Sequence, residues 1–514
     1  MRVPRARWLL ATLACVLLGM LVVVGAPALA DEGGPVPSIK TLDELTGKHI
    51  AYVNGSVYNK NVAAKVNDTK EEFYASLPDC VAAVEAGKVS AAVQLSYCCE
   101  LVVNRKGGTV ALLPEHIAQV EEAFFFPHGD PLTQEFNEVI DAFEKDGTLE
   151  QLRKKWVGTD ESAKTLPAQD WDAPKGTLKF ATSGVIDPFS YVGAGGEAMG
   201  YDVDLALNIA KKLGYKLEIS VIAMDAIFAS VQTGKVDFGG TLTNTPERAK
   251  VVDFSKQVMP CYISAIVKAE GTGAGRSDKG LLSSLKESFN RTFIEENRWE
   301  LIVGGLLVTV VISVCSGVLG TLLGFATVLA RRSGAKWLGK LVDGFQAIMG
   351  GVPLVVVLMV LYYVVFGTMD IAGEIVAVIA FALSFGATSG STMWTALKGL
   401  SDIQEETGMA LGFTRREVFR HILFPQAMQR FLPQLVGQFV SLTKDTAIVG
   451  YIAVQDLTRA SDLIRARTMD AFFPLISTAI IYFVICRLIA WVLNKIAKRL
   501  DAGNRPHKIE GIDA

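Results

Sequence analysis

The sequence predicts two α/β lobes that form a clamshell, followed by an all-α bundle of five membrane-spanning helices. Three observations predict it. Half of the 514 residues are hydrophobic, but unevenly placed: residues 31 to about 297 read as soluble and 298–500 as membrane. Residues 81–93, VAAVEAGKVSAAV, and 228–240, FASVQTGKVDFGG, share a pattern of helix end, Gly, Lys and short apolar strand, which suits a helix C-cap followed by a βαβ crossover. Finally, apolar stretches occur at about 301–330, 345–367, 371–397, 432–455 and 472–494, each near the roughly 20 residues needed to cross a bilayer.

Ahead of these elements, MRVPRAR carries three arginines, WLLATLACVLLGMLVVV is apolar, and Ala28-Leu29-Ala30 has the small-x-small form of a cleavage site. Residues 1–30 therefore read as a secretory signal peptide. Of the cysteines beyond it, Cys80, Cys98, Cys99 and Cys261 would face an oxidising compartment, where their spacing names no disulfide partners. The few histidines have no metal spacing. A net charge of −3 gives no sign of a nucleic-acid partner.

Within the soluble part, residues 37–158 form one half, 159–176 a linker, 177–269 a second half and 270–297 a further linker. Two such α/β halves in an exported setting suggest a hinged binding domain with a small-molecule ligand in the cleft.

GTLKFATSGVIDPFSYV, GYDVDLALNIAKKLGYKLEI and TLTNTPERAKVVDFS resemble the first half of polar-amino-acid-type solute-binding proteins of ABC importers. LDELTGKHIAYVNGSV, VEAGKVSAAV and GDPLTQEFNEVIDAFEKDGTLEQLRKKWVG resemble the second half, so the order is reversed. The resemblance implies a type II periplasmic-binding-protein-like clamshell, circularly permuted, with residues 159–175 joining the old ends. Two truncated domains are the alternative. In that family a Thr and an Arg five residues later grip the ligand's α-carboxylate, and the matching positions here are Thr243 and Arg248, with Thr241 a further hydroxyl. A guanidinium suits the role because it bonds a planar carboxylate bidentately. Ser183 and Ser56 fall at further ligand-facing positions, and a helix cap explains Ser56 as well.

Several positions depart from the family pattern. The acid that usually binds the ligand's α-amino group falls at Leu95, the stacking aromatic at Ile186 and another apolar contact at Met224. Another acid supplies the amine anchor, or the ligand is not an ordinary α-amino acid, or the domain is partly degenerate; the sequence leaves all three open.

Positive charge orients the membrane part. Arg331, Arg332, Lys336 and Lys340 follow the first span, Lys398, Arg415, Arg416, Arg420 and Arg430 separate the third from the fourth, and Lys495, Lys498 and Arg499 follow the fifth. This puts the N-terminal domain outside the plasma membrane and the tail, 501–514, inside. Arg459, Arg465 and Arg467 are the exception, because their loop would lie outside. Charged Lys444 and Asp445 at the fourth span suggest either a mutual ion pair or a transmembrane path.

The segment 402–427 would lie inside. Gly412 can end a short helix, Thr414 and Glu417 form a capping box for another, and Pro425 marks the change to the next span. An amphipathic helix on the lipid headgroups explains its arginines equally. Glu406, Gly412, Phe419 and Pro425 nevertheless match the EAA loop of ABC importer permeases, which docks on the ATPase subunit. The permease resemblance extends over about 284–496, through SFNRTFIEENRWELIVGGLLVTVVIS and SLTKDTAIVGYIAVQDLT. It implies a homodimer and a separate ABC ATPase partner. The chain has no G-x-x-x-x-G-K-[ST] to bind ATP and needs no cofactor of its own on this reading. A ligand-gated channel or a sensor is the alternative, but both lobes precede all spans and little chain follows the last one. An exported enzyme lacks a triad, and Glu121 and Glu122 read as solvated loop charges.

Overall fold

A computed structural model describes residues 36–158, 160–193, 195–270, 281–367, 369, 371–400 and 402–500. The expected signal peptide and C-terminal tail lie outside these residues. The chain divides into two compact units, one through Gly304 together with Thr458–Thr478, the other Gly305–Leu457 with the residues from Ala479.

In the first unit the strands are β1 (His49–Val53), β2 (Lys70–Tyr74), β3 (Ala91–Leu95), β4 (Val110–Leu112), β5 (Ala118–Pro127), β6 (Thr177–Thr182), β7 (Val185–Ile186), β8 (Ser190–Val192), β9 (Ala198–Met199), β10 (Lys216–Val221), β11 (Phe238–Thr243), β12 (Val252–Phe254) and β13 (Met259–Lys268). Its helices begin with α1 (Tyr58–Ala63), α2 (Leu77–Glu85), α3 (Ser96–Lys106), α4 (Leu132–Lys145), α5 (Thr148–Val157), α6 (Tyr201–Leu213) and α7 (Met224–Gln232).

Ten strands share one sheet, in the order β10-β6-β11-β5-β13-β3-β1-β2, with β12 on β5 and β4 on β13. β5 and β13 pair with one another from Glu122 opposite Met259 to Ala118 opposite Ile263 and otherwise diverge, β5 towards β11 and β12, β13 towards β3 and β4. These two long strands are the crossings between lobes. Lobe one holds β1–β4 and α1–α3; lobe two holds β6–β12 and α4–α7. The lobes therefore do not coincide with the halves read from sequence, since α4 and α5 pack on α6.

The repeated pattern takes the expected form twice. α2 ends before Gly87 (φ +70°) and leads into β3, while α7 ends before Gly234 (φ +70°) and leads into β11. Each glycine takes the left-handed conformation that side chains resist. Lobe two is centred on an aromatic cluster: Phe180 stacks on Phe238 with centroids 4.8 Å apart, and Phe126 meets Phe136 edge-on at 4.9 Å. The segment after α5 is an ordered strap: Gln169 both accepts from Leu217 N and donates to Leu217 O on the edge strand β10. Cys80, Cys98, Cys99 and Cys261 are buried free thiols.

Helices continue with α8 (Leu281–Phe289), inside the stretch read as linker, and α9 (Trp299–Arg332). In the second unit follow α10 (Lys336–Gly351), α11 (Leu354–Met359), α12 (Gly373–Lys398), α13 (Asp402–Ala410), α14 (Arg415–Val418) and α15 (Phe424–Asp445); then come α16 (Leu457–Thr468) and α17 (Phe473–Leu500), the last among the described residues.

Among the described residues three helices, α9, α12 and α17, are long and apolar enough to cross a membrane, or four if the bent pair around Val352-Pro353 counts as one span. That pair, bent by 107°, overlaps the stretch read as the second span. Proline forces extended backbone on the preceding Val352 and cannot donate to the turn before it. α15, which begins the expected fourth span, is not in that set because Gln426, Gln429, Arg430, Gln434 and Gln438 interrupt its apolar surface. Close helix contact comes from small residues. Gly324 on α9 lies against Gly386 and Gly390 on α12, Gly320 lies against Ala382 and Phe385, and a methyl group on Gly324 would lie 2.4 Å from the Ser389 hydroxyl. This is the small-xxx-small spacing by which membrane helices approach closely. α15 joins them through Phe439 against Gly317 and through Gln438 Nε2 donating to Thr392 Oγ1 at 2.7 Å.

Candidate functional site

Parallel strands bind ligands beyond their carboxyl ends. β1, β3, β6 and β11 end at Val53, Leu95, Thr182 and Thr243, and the candidate residues sit there. After β1 the chain turns through Gly55 (φ +79°) into α1, and the Ser56 hydroxyl accepts from Tyr58 N at 3.2 Å. Ser56 thus caps the turn. After β11, Arg248 reaches back so that Nη1 donates to Thr243 O at 3.0 Å and Nη2 donates to Gly55 O at 3.1 Å. Thr243 and Arg248 belong to lobe two and Gly55 to lobe one, so this arginine spans the cleft. Tyr58 OH, also from lobe one, lies 3.3 Å from Thr243 Oγ1.

Two carboxyls to which the sequence reading gave no part in the site complete this wall. Glu122 is buried on β5, not a solvated loop charge, and accepts from Thr243 Oγ1 at 2.5 Å; its neighbour Glu121 is exposed. The signal was available: in a strand adjacent side chains face opposite ways, so one glutamate of the pair had to point inward. Asp202 on α6 accepts from Thr241 N at 2.9 Å and from Thr241 Oγ1 at 2.8 Å. Burial, opposed by these hydrogen bonds, pushes Glu122 up to about 8 and Asp202 up to about 7. Burial also pulls the Arg248 guanidinium below its ordinary range, with Tyr58 and Glu122 working against it.

The structure thus brings Thr243, Arg248 and the Gly55-Ser56 turn together, with Thr241 two positions earlier on the same strand. Ser183 follows β6, and its carbonyl is held by Arg459 of α16. Leu95 is buried, while Ile186 and Met224 are half-buried.

The second candidate site is the segment of α13 and α14. α13 ends before Gly412, whose φ of +92° requires glycine. Thr414 Oγ1 accepts from Glu417 N while Glu417 accepts from Thr414 N, the expected capping box. Thr414's backbone N–H and hydroxyl hold the Glu417 carboxyl below its ordinary range. Pro425 lies in the first turn of α15, which continues from a π-helical turn, Phe419–Leu423, where a missing N–H is harmless. Gly408 has a use the sequence reading left unassigned: a methyl group there would lie 2.8 Å from Val418, so glycine lets α13 lie directly on α14. Arg332 ties the segment to α9 by donating to Glu405 at 3.1 Å and stacking over Phe419 at 4.6 Å. Glu406, Leu411 and Phe413 remain exposed. Lys444 and Asp445 end α15 in exposed positions, and among the described residues no ion pair joins them to one another.

Comparison with known proteins assigns a family to each part of the chain. A family model of bacterial extracellular solute-binding proteins, family 3, matches residues 178–352. A model of the inner membrane component of binding-protein-dependent transport systems matches residues 316–502. The L-cystine transport system permease protein TcyB of Bacillus subtilis is 30% identical over 211 residues, which cover 40% of this chain and 90% of that protein. The arginine ABC transporter permease protein ArtQ of Haemophilus influenzae is 32% identical over 210 residues, covering 39% of this chain and 93% of that protein. A crystal structure of an amino acid ABC transporter with histidines is 29% identical, covers 39% of this chain and 94% of its own, and has a TM-score of 0.37.

Fold and relatives together define the substrate-binding and permease subunit of an importer. The chain belongs to the amino-acid ABC importers, with a solute-binding domain and a permease domain on one polypeptide. It is a multi-pass membrane protein, and an extracytoplasmic position suits its binding domain.

Proposed function

We propose that the clamshell captures a polar amino acid or related small carboxylate, that the permease domain carries it inward, and that a separate ATPase docked on residues 402–427 supplies the energy. The observation that carries the substrate reading is Arg248, poised between Thr243 of one lobe and Gly55 of the other. A planar carboxylate entering there exchanges backbone carbonyls for itself as the acceptor of two parallel guanidinium bonds. Thr243, Thr241, Ser183 and the Ser56 turn line the same strand ends. The reading takes the clamshell as one permuted domain. Support comes from the single sheet that joins both halves.

The exposed Glu406, Leu411 and Phe413 beside Gly412 give the ATPase a charged and apolar surface. We assign five spans, with α15 the fourth, and a homodimer around the path. Lys444 and Asp445, unpaired with one another, are placed along that path. The test is a thermal-shift and binding screen of the detergent-solubilised full chain against amino acids and small carboxylates. Stabilisation by a carboxylate, lost in Arg248→Ala, is expected; an unchanged response in that variant overturns the clamp.

A further inference from the structure

The three arginines that break the charge pattern of the membrane part have a place in the binding unit. α16 lies between two expected spans along the chain, yet from Thr458 it belongs to the same compact unit as the lobes. Leu463 and Met469 are buried in the clamshell's hydrophobic core, at 3% and 2% exposure. Leu463 also lies against Gly184, where a methyl group would stand 3.3 Å from it.

The arginines divide between the lobes. Arg465, 7% exposed, donates to Asp79 on α2 of lobe one and, through Nε at 3.0 Å, to Ala471 O in its own segment. Arg467, 9% exposed, donates to Asp187 of lobe two at 2.6 Å and to Glu296 at 2.8 Å, and lies 4.3 Å over the Tyr191 ring. Asp187 is shared, because Arg105 of lobe one donates to the same oxygen at 2.7 Å. Arg459 donates to Ser183 O and Ile222 O, the carbonyls just after β6 and β10. The turn held in this way, Ser183–Asp187, carries the positions that face the proposed ligand. Buried, charge-assisted contacts of this kind are specific in geometry, and removing one partner leaves the other charge uncompensated.

We propose that Arg459, Arg465 and Arg467 are positioning residues of the binding cleft, and that α16 is a strap fastened to both lobes which sets how far they part. This rests on the clamshell reading above but not on the identity of the ligand. The same contacts give these arginines a role outside the membrane: Arg465 is matched by Asp79 and Arg467 by Asp187 and Glu296, while Arg459 is held by backbone carbonyls.

The experiment measures the interlobe distance in the full chain in lipid nanodiscs without added ligand. Spin labels are attached at Lys65→Cys on lobe one and Lys212→Cys on lobe two, both exposed, in a Cys315→Ser background. The wild-type strap is expected to give one narrow distribution. Arg465→Ala with Arg467→Ala should broaden it and add distances several ångströms longer, and the neutralisation Asp79→Asn should do the same more weakly. Arg467→Lys, which keeps one charge but not the fork, should fall between wild type and the alanine variant. An unchanged distribution in both the double variant and Asp79→Asn overturns the proposal. Because no ligand is needed, failure of the carboxylate clamp would leave this result standing.

Discussion

The Glu122 carboxyl accepts a hydrogen bond from the Thr243 hydroxyl at 2.5 Å, and the two residues are register partners across β5 and β11. A protein carboxyl therefore sits against the hydroxyl that the ligand's own carboxylate is proposed to use. That juxtaposition makes the cleft sensitive to pH.

Burial raises Glu122 to about 8 and Asp202 to about 7, against roughly 4 in an unfolded chain. The folded state holds these protons longer, so their stabilising contribution is complete below about pH 4 and is lost as pH rises towards 8. Thermal unfolding of the solubilised chain should show the binding unit weakening over that window. Glu122→Gln keeps a neutral partner for Thr243, and it should flatten the upper part of the decline and gain roughly 2 kcal/mol near pH 9. A slope unaffected by this change would mean that another group carries it.

Ligand binding should follow the same titration. Once ionised, Glu122 repels a carboxylate at Arg248 and Thr243, so affinity should fall up to about tenfold for each pH unit above 8. Isothermal titration of wild type and Glu122→Gln between neutral and alkaline pH separates the cases, since only the wild type should show the fall. At neutral pH, Arg248→Lys should bind about a hundredfold more weakly, because an ammonium replaces a two-pronged donor.

Two glycines of the loop 402–427 should fail for different reasons. Gly408→Val drives its side chain into Val418, so α13 should lift from α14 and co-purification with the ATPase should drop sharply. Gly412→Ala meets nothing within 4 Å, but its φ of +92° is unfavourable for alanine, costing about 1 kcal/mol. Its effect on ATPase association should be several-fold smaller. Equal losses in a pull-down would count against this packing account.

In the helix bundle, Gly324→Leu should be more damaging than Gly304→Leu. Gly324 lies against Ser389 and Gly390, whereas Gly304 has nothing within 4 Å of its missing side chain. The expected readout is loss of monodisperse protein on size-exclusion chromatography for the first variant alone. Similar profiles would remove the close approach of α9 and α12 as a requirement.

Much of this was legible along the chain because it depends on local chemistry. Hydrophobic runs marked the membrane part, the duplicated Gly-Lys pattern marked paired helix-to-strand turns, and Thr414 with Glu417 marked a helix start. Each follows from neighbouring residues and the backbone geometry they favour. The two GxxxG spacings on α9 and α12 were legible too and went unread.

What the tertiary structure decided is what distant residues do to one another. Sequence placed Glu122 among loop charges; only its pairing with β11 shows it buried beside Thr243. Sequence set Arg459, Arg465 and Arg467 against the charge rule; only the fold supplies Asp79 for Arg465, Asp187, 280 residues away, for Arg467, and the carbonyls of Ser183 and Ile222 for Arg459. It was also the crossing of β5 and β13, invisible to any local pattern, that moved α4 and α5 into lobe two. Local propensity sets which elements form, but burial and charge compensation are properties of the surroundings, and the surroundings here come from far along the chain.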